Sequence, residues 1–366
     1  MGKGIYVIVC LLCCFAQPAL ARFQQSESTI TIESKLKEAN DYLVVLPERS
    51  LSILTQNDLL LVNANDEQKA QWHAAKMIAS IRVSNLHYLK ETLDGLSQLQ
   101  NTTYFQDHSE TVLNGLGVWL RRSGYLHSAK SAYICSFKAS NPDKNIIRPL
   151  LNLAVVERNL ANYKQSKVLN VIALKMAKEQ ELTAYVATIE NNLGILAISE
   201  SRYYDAQTHF SAALNLNERL NRRSGELLAS MNLLLTFLYQ ENQLYFNRLY
   251  ERAKRKLLLY PDSARGAYLA VLEAIHTAQT EPFLVKNSQQ KILDNIILVN
   301  DKGLQGLLSP LINKVGVNYQ TEQQNSELVY SGQLLQQYSM CNWNVDLNDD
   351  NLQKIIIELG STQSQE

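Results

Sequence analysis

The six histidines are the residues of this sequence best suited to acid–base or metal chemistry, and they are scattered along the chain. They are His73, His87, His108, His127, His209 and His276. No two stand three or four residues apart, the spacing that would place two metal ligands on one helical face. The metalloprotease and serine-hydrolase motifs are absent, as is a phosphate-binding glycine loop. The sequence therefore predicts no catalytic site, no metal site and no cofactor.

A second candidate for chemistry is an acidic stretch near the C-terminus. Residues 346–350 read Asp-x-Asn-x-Asp, which matches the first oxygen ligands of a calcium-binding loop. However, Asn351 stands where such a loop requires glycine, and Ile357 stands where its bidentate glutamate belongs. We therefore interpret one of the last two aspartates as the N-cap of a short helix over 351–359.

The composition is that of an ordinary folded protein. Hydrophobic residues make up 46% of the 366 residues, which is enough for a large core. Lys+Arg and Asp+Glu are both 35, so the net charge is zero. A non-specific nucleic-acid binder needs an excess of cations, and we therefore expect no nucleic-acid partner. Only 7 prolines interrupt the chain, which favours long helices.

The segment 1–21 is typical of a secretory signal peptide. Lys3 supplies a positive charge, residues 5–15 are apolar, and Ala19-Leu20-Ala21 offers small residues for cleavage. This apolar run is shorter than the ~20 residues that a membrane-spanning helix needs, and no later run approaches that length. The sequence therefore predicts export, to the periplasm in a bacterium and otherwise by secretion, with no membrane span in the mature chain.

Removal of this segment would leave two cysteines, Cys135 and Cys341. A secreted disulfide scaffold would carry more cysteines, closely spaced. One long-range bridge is an open alternative, but the sequence favours two free thiols.

A pattern of small and aromatic residues repeats along the middle of the chain. Its two clear copies are Leu116-Gly117, Ala129 and Tyr133, and Leu193-Gly194, Ala206 and Phe210. Weaker copies centre on Ala154 and Leu234, so the four copies centre on positions 117, 154, 194 and 234. A nearly constant interval of this size indicates a repeat architecture.

This pattern resembles the tetratricopeptide repeat (TPR) family, whose repeat is a pair of antiparallel helices. The resemblance covers residues 108–262 and implies an all-α fold, an α-solenoid of antiparallel helix pairs. It implies that Gly117 and Gly194 lie in mid-helix, where Ala129 and Ala206 of the partner helices approach them closely. The intervals exceed the ~34 residues of the family repeat, so we expect longer helices or connections. Turns are expected at Gly124-Tyr125, Asn162-Tyr163 and Arg202-Tyr203.

The flanking segments show the same helical spacing of apolar residues. We expect an N-terminal region of degenerate helical repeats over 22–107 and C-terminal helical repeats or a cap over 263–360. Residues 361–366 form a polar tail that we expect to be disordered. Beyond Gly303, the residues Gly306, Pro310 and Gly316 interrupt the helical pattern.

The resemblance also predicts which residues line a groove, because the first helix of each TPR pair faces the concave side. The candidate partner-binding residues on that side are Asn114, Arg121, Arg122, Arg148, Arg158 and Asn191. Equivalent positions of the fourth copy are apolar and include Met231, Leu235 and Leu238. Such a surface would hold an extended peptide with its acidic part on the arginines. Alternatively, the arginines are solvated surface and the apolar end packs against the next helix.

Three functions follow from these patterns. The leading hypothesis is a non-enzymatic exported scaffold that binds a protein or peptide, possibly acidic. The second is a periplasmic sensory or ligand-binding module of a signalling system. The third is an enzyme of unrecognised type, which would require carboxylates or histidines to converge in one pocket.

The signal-peptide interpretation makes the first testable prediction. Because cleavage follows the small residues at 19–21, the mature chain begins at Arg22. N-terminal sequencing of the exported protein measures this directly. A membrane-bound species that retains Met1 would contradict it.

Overall fold

The computed structural model describes residues 31–139, 146–259 and 261–320. Within these ranges the regular elements are sixteen α-helices and two short 3-10 segments, at Asp58–Asn63 and Pro282–Leu284. The helices are α1 (Ile32–Tyr42), α2 (Pro47–Gln56), α3 (Asp66–Arg82), α4 (Leu86–Ser97), α5 (Thr103–Asp107), α6 (Ser109–Arg122), α7 (Leu126–Ala139), α8 (Ile147–Asn159), α9 (Tyr163–Glu179), α10 (Thr183–Ser199), α11 (Tyr203–Arg219), α12 (Arg223–Tyr239), α13 (Gln243–Leu259), α14 (Ser263–Thr280), α15 (Val285–Ile296) and α16 (Lys302–Lys314). The segments 1–21, 346–350 and 351–366 discussed above lie outside the described residues.

The middle of the chain is built from one repeated unit. Helices α9 to α13 are each 17 residues long, and three residues separate each from the next. One helix pair with its two connections therefore contains as many residues as the interval from Ala154 to Gly194, or from Gly194 to Leu234, in the sequence. Consecutive helices pack against each other, so the chain is a stack of antiparallel helix pairs. The predicted all-α solenoid of helix pairs is confirmed.

The three-residue connections have a common backbone geometry. In each of the five connections from α8 to α13, one residue has a positive φ, and these residues, evenly spaced along the chain, are Ala161, Glu181, Ser201, Asn221 and Glu241. The following residue donates its N–H to a carbonyl five residues earlier, as Arg202 does to Ala197 at 2.8 Å. This is the Schellman arrangement, which pairs helix-end carbonyls that would otherwise lack a donor. None of these five residues is glycine, so the hydrogen bonds offset a left-handed conformation that costs roughly 1 kcal/mol.

The two repeat glycines lie in mid-helix as expected, but their close contact is with an aromatic ring. A Cβ atom on Gly117 would lie 2.5 Å from Cε1 of Tyr133, and one on Gly194 would lie 2.6 Å from Cε1 of Phe210. The expectation that alanines make this contact was therefore wrong. The aromatic side chains reach farther across the helix pair than an alanine methyl, so their rings cover the glycines. Ala129 and Ala206 are themselves fully buried.

The flanks continue the pattern of pairs, apart from the last helix. Helices α1 and α2 form an N-terminal pair, α3 packs on α4, and α14 packs on α15. Helix α16 instead turns back and contacts α6 and α12. None of the helices in the described ranges has the length and apolar character needed to span a membrane.

Cys135 lies buried on α7 and is disulfide-bonded. The expectation of a free thiol at this position was therefore wrong. The other four cysteines of the sequence, Cys341 among them, lie outside the described residues.

The glycine contacts predict opposite outcomes for two substitutions inside helices. Gly194→Ala would force the buried Phe210 ring to move, and overpacking of this kind costs roughly 1–3 kcal/mol. Gly266→Ala is the matched control, because its added Cβ would lie 3.8 Å from the nearest atom, Leu257 Cδ2. There the substitution gains helix propensity of about 1 kcal/mol. Denaturant unfolding followed by circular dichroism should show Gly194→Ala less stable than wild type and Gly266→Ala at least as stable. Equal stability of the two variants would refute the close contact.

Candidate functional site

The candidate site lies where α16 crosses the first helices of successive pairs. We call the face of α6, α8, α10 and α12 that carries the predicted groove residues the inner face. Tyr239 at the end of α12 donates its hydroxyl to the carbonyl of Leu307 on α16, at 2.5 Å. At the other end of the contact, a Cβ on Gly303 would lie 2.7 Å from Nδ2 of Asn159, so the α16 backbone approaches α8 closely. Helix α16 therefore occupies part of the inner face and closes it into a pocket.

This arginine pocket has a volume of about 260 Å³. Its apolar lining is Val155, Ile195, Leu228, Ala264, Val299, Leu304 and Leu307. Its polar lining is Arg82, Ser84, Arg121, Arg122, Arg158, Asn191, Asn192, Asn232, Arg265, Tyr268, Asn300 and Asp301. Five guanidinium groups thus share the described lining with one carboxylate. The predominance of cations makes the pocket electropositive.

The one carboxylate is held by Arg121. Asp301 caps the N-terminus of α16 by accepting a hydrogen bond from the backbone N–H of Leu304. It also accepts a hydrogen bond from Nη1 of Arg121, at 2.9 Å. Burial alone would lower the pKa of Arg121, but the Asp301 carboxylate raises it above the ordinary value. Burial alone would likewise raise the pKa of Asp301, but Arg121 and then Arg122 hold it below the usual range. This pair joins α6 to α16 across 180 residues of sequence.

The positive charge of Arg122 is less well compensated by a carboxylate than the charge of Arg121. Its Nη1 donates to the carbonyl of Ile81 at 2.9 Å, whereas its Nε lies 4.0 Å from Asp301 Oδ2, beyond hydrogen-bond distance. That buried Nε has no acceptor among the described residues. Burial, followed by the adjacent charge of Arg121, lowers the pKa of Arg122 to about 10.

Arg158 on α8 is also without a carboxylate partner among the described residues. Its Nε and Nη2 both donate to Oδ1 of Asn159, at 3.3 and 2.9 Å. Burial, followed by the charge of Arg121, lowers the pKa of Arg158 to about 10. Arg121 and Arg158, which stand four residues after Gly117 and Ala154, therefore line one pocket from adjacent repeats.

Two further arginines, Arg148 and Arg222, lie outside the pocket and near Arg82 of its lining. Arg82 lines the pocket from the end of α3, and its pKa is lowered by burial and then by the charges of Arg148 and Arg222. Arg148 is exposed at the start of α8, and Arg222 donates to the carbonyl of Ala184 at 2.7 Å. The positive potential of the pocket thus extends onto the surrounding surface.

Side-chain amides connect neighbouring inner helices. Asn152 donates to Asn114 at 2.6 Å, and Asn232 donates to Asn191 at 2.8 Å. The Tyr268 hydroxyl, which is fully buried, donates to Asn232 at 3.2 Å. Asn191 therefore uses its oxygen within the array, and this bond leaves its NH₂ donors unused.

The predicted groove residues divide into two groups. Arg121, Arg122, Arg158 and Asn191 line the arginine pocket, whereas Asn114 and Arg148 do not. Asn114 is buried in its bond to Asn152, and Arg148 is exposed outside. At the apolar end, Met231, Leu235 and Leu238 are buried core. These three residues therefore follow the alternative given in the sequence analysis, in which the apolar end of the groove packs against the next helix.

The sequence reasoning missed Asp301, Arg82 and Arg265. An aspartate just before a run of helical spacing is a signal for an N-cap, so the helical role of Asp301 was readable. Its pairing with Arg121 was not, because nothing local in the sequence indicates that α16 returns to α6.

The chemistry available in the described lining is recognition of an anion. The lining contains no histidine, cysteine or glutamate, and its one aspartate is ionised and paired. No group of three or more potential metal ligands occurs in the described part of the chain. Arginine and amide donors converging on a cavity are instead suited to carboxylate or phosphate oxygens.

The Arg121–Asp301 pair predicts a large effect of removing one charge. Asp301→Asn keeps a capping side chain but leaves Arg121 buried without compensation, which should cost about 3 kcal/mol. Adding Arg121→Gln should recover part of this loss, and denaturant unfolding of the double-mutant cycle measures the coupling.

The same pair predicts a pH dependence of stability. The folded-state pKa of Asp301 is depressed, so its contribution is present above the unfolded pKa of about 4 and is lost as the pH falls through the folded pKa. The stability difference between wild type and Asp301→Asn should therefore shrink below about pH 4. A difference that is constant with pH, or the absence of coupling in the cycle, would contradict the ion pair.

Comparisons with known proteins give little beyond this geometry. No family model and no curated protein matches the chain. Among solved structures, the chain is similar to the apo form of RapI, with 14% identity over 84% of this chain and 96% of that chain and a TM-score of 0.40.

Proposed function

We propose that this protein is a non-enzymatic scaffold that binds a protein or peptide partner and takes an acidic group of that partner into the arginine pocket. One observation supports this most directly: Arg122 and Arg158 are largely buried in a cavity and have no carboxylate within hydrogen-bond distance among the described residues. A buried cation without an anion is costly, since desolvation is not repaid. A partner's carboxylate would offset that cost on binding.

The shape of the pocket refines the form of the partner. The groove expected from the repeat pattern would hold an extended peptide along several repeats. Helix α16 fills part of that surface, and Leu308, Leu311 and Ile312 anchor it in the same core as α14 and α15. The site therefore suits an acidic side chain or chain end inserted from outside better than a long peptide lying across the face.

The proposed location follows from the N-terminal segment. Residues 1–21 have the pattern of a signal peptide, and we infer that the scaffold acts in the periplasm of a bacterium, or outside the cell in another host.

A second candidate is a ligand-binding sensory module, and the size of the pocket favours it. A cavity of about 260 Å³ approaches the size range of small-molecule sites. The two functions differ in the anion that binds the arginines. In the scaffold it is a group on a protein partner, and in the sensory module it is a free small anion.

The test begins with identification of the partner by crosslinking in the native envelope or secreted fraction. Affinity is then measured with purified partner for wild type, Arg158→Glu and the control Arg219→Glu. Arg219 is exposed at the end of α11 and does not line the pocket. Arg121 is left intact, because a glutamate there would face Asp301 and compromise folding.

Arg158→Glu should weaken binding by at least roughly tenfold, the scale of one charge-assisted hydrogen bond. Arg219→Glu should bind like wild type, and wild-type affinity should fall as salt rises. If folded Arg158→Glu retains full affinity, the partner binds elsewhere.

A further inference from the structure

The charges of the arginine pocket remain unbalanced after its own carboxylate is counted. Asp301 is paired with Arg121, and Arg265 is paired with Asp262. The remaining cations in the lining are Arg82, Arg122 and Arg158. None of these three has a carboxylate within hydrogen-bond distance among the described residues. A single carboxylate would therefore neutralise only one of three positive charges.

Buried polar atoms without a partner lie close to the pocket residues, and two of them are donors. Nε of Arg122 and Nδ2 of Asn159 are buried and have no acceptor within the described ranges. The orientation of the Asn159 amide is fixed, because its Oδ1 accepts a hydrogen bond from Nη2 of Arg158. Asn191 adds a third set of donors, since its oxygen accepts Asn232. The two unpartnered donor atoms are themselves buried, so a ligand would meet the guanidinium groups of Arg122 and Arg158 and the amide of Asn191, which line the pocket. A ligand rich in acceptor oxygens suits these donors.

The apolar wall of the pocket indicates which group the ligand carries beside its anion. Val155, Ile195, Leu228 and Leu307 present apolar surface to the same cavity. The volume of about 260 Å³ exceeds the ~30 Å³ share of one water several-fold, so an oxyanion would leave room for a small organic group.

From this arrangement we propose that the arginine pocket is specific for a phosphate monoester, a group with two negative charges and three acceptor oxygens, attached to a small organic moiety. This rests on the proposed function insofar as the same pocket is the binding site, and it names the class of anion. Phosphate geometry matches the planar donor fork of arginine. A phosphate monoester carries close to two charges at neutral pH, whereas a carboxylate carries one charge and two oxygens.

The phosphate would bind beside Asp301 and not in its place. Asp301 also caps α16, and Arg121 neutralises it. Repulsion between Asp301 and the ligand is thereby reduced, while Arg122 and Arg158 remain to bind the incoming oxygens.

The test compares two probes that share a ring and differ in the anion, phenyl phosphate and benzoate. Isothermal titration calorimetry on the full mature chain at low salt and pH 7.5 measures their affinities. Phenyl phosphate should bind at least about tenfold more tightly than benzoate, since it adds a charge-assisted hydrogen bond. Arg122→Gln and Arg158→Gln should each reduce phenyl phosphate affinity by about tenfold or more, and the surface control Arg219→Gln should not.

Thermal melting separates loss of binding from loss of folding. Both glutamine variants remove a buried charge that has no hydrogen-bonded carboxylate among the described residues, so without ligand they should melt at or above the wild-type temperature. Phenyl phosphate should raise the melting temperature of wild type and of Arg219→Gln but not of these two variants. A phosphoserine peptide and its serine counterpart then distinguish a phosphorylated protein from a free phosphate ester as the source of the group.

The outcomes distinguish this inference from the proposed function. Equal binding of benzoate and phenyl phosphate, both dependent on Arg158, would overturn phosphate specificity and leave an acidic-group pocket. Tighter binding of phenyl phosphate that is unaffected by Arg122→Gln and Arg158→Gln would place it outside the pocket and also overturn the inference. No binding of either probe, with the partner's affinity unaffected by Arg158→Glu, would overturn both proposals.

Discussion

The structure depends on how each helix ends. Between α9 and α13 every connection is three residues long, contains one residue with positive φ and is closed by a backbone bond of 2.8 or 2.9 Å to the preceding helix. This fixes the reversal of the chain without glycine and without a long loop. Because the helices are equal in length, successive pairs stay in register. Residues one repeat apart therefore lie at equivalent places on neighbouring inner helices.

Register on the inner face is what assembles the site. The arginines of α6 and α8 and the asparagines of α10 and α12 come from separate repeats, yet they line one cavity. The asparagine pairs between inner helices satisfy buried amides and hold neighbouring helices together. The glycine-on-ring contacts at Gly117 and Gly194 keep the outer helix of each pair close behind the inner one. Both sets of contacts rigidify the face that holds the arginines.

The arginine pocket combines a structural pair with unbalanced cations. Arg121 and Asp301 neutralise each other and tie α16 to the array, while Arg122 and Arg158 have pKa values lowered to about 10 because burial disfavours their charge. A buried charge that is not paired reduces stability. Under the proposed function, a ligand would supply the missing charge and offset this cost.

The sequence by itself determined the repeated helix pairs, the mid-helix glycines, the turns and the arginine positions, because each depends on residues within one repeat interval. Arg121, Arg122, Arg158 and Asn191 could be placed on one face from periodicity and resemblance alone. The disulfide at Cys135 was only an open alternative, since the spacing of two cysteines far apart in sequence does not show whether they meet in space. The sequence also did not show that the ring of Phe210, and not Ala206, covers Gly194, because that contact depends on how far each side chain reaches.

Only the tertiary structure decided that α16 returns to α6. Gly303, Gly306 and Pro310 weaken the local helical signal of α16, and the contact spans 180 residues. That return turns an open groove into a partly enclosed pocket. It follows from burial of Leu308, Leu311 and Ile312 against distant helices, which no local pattern encodes.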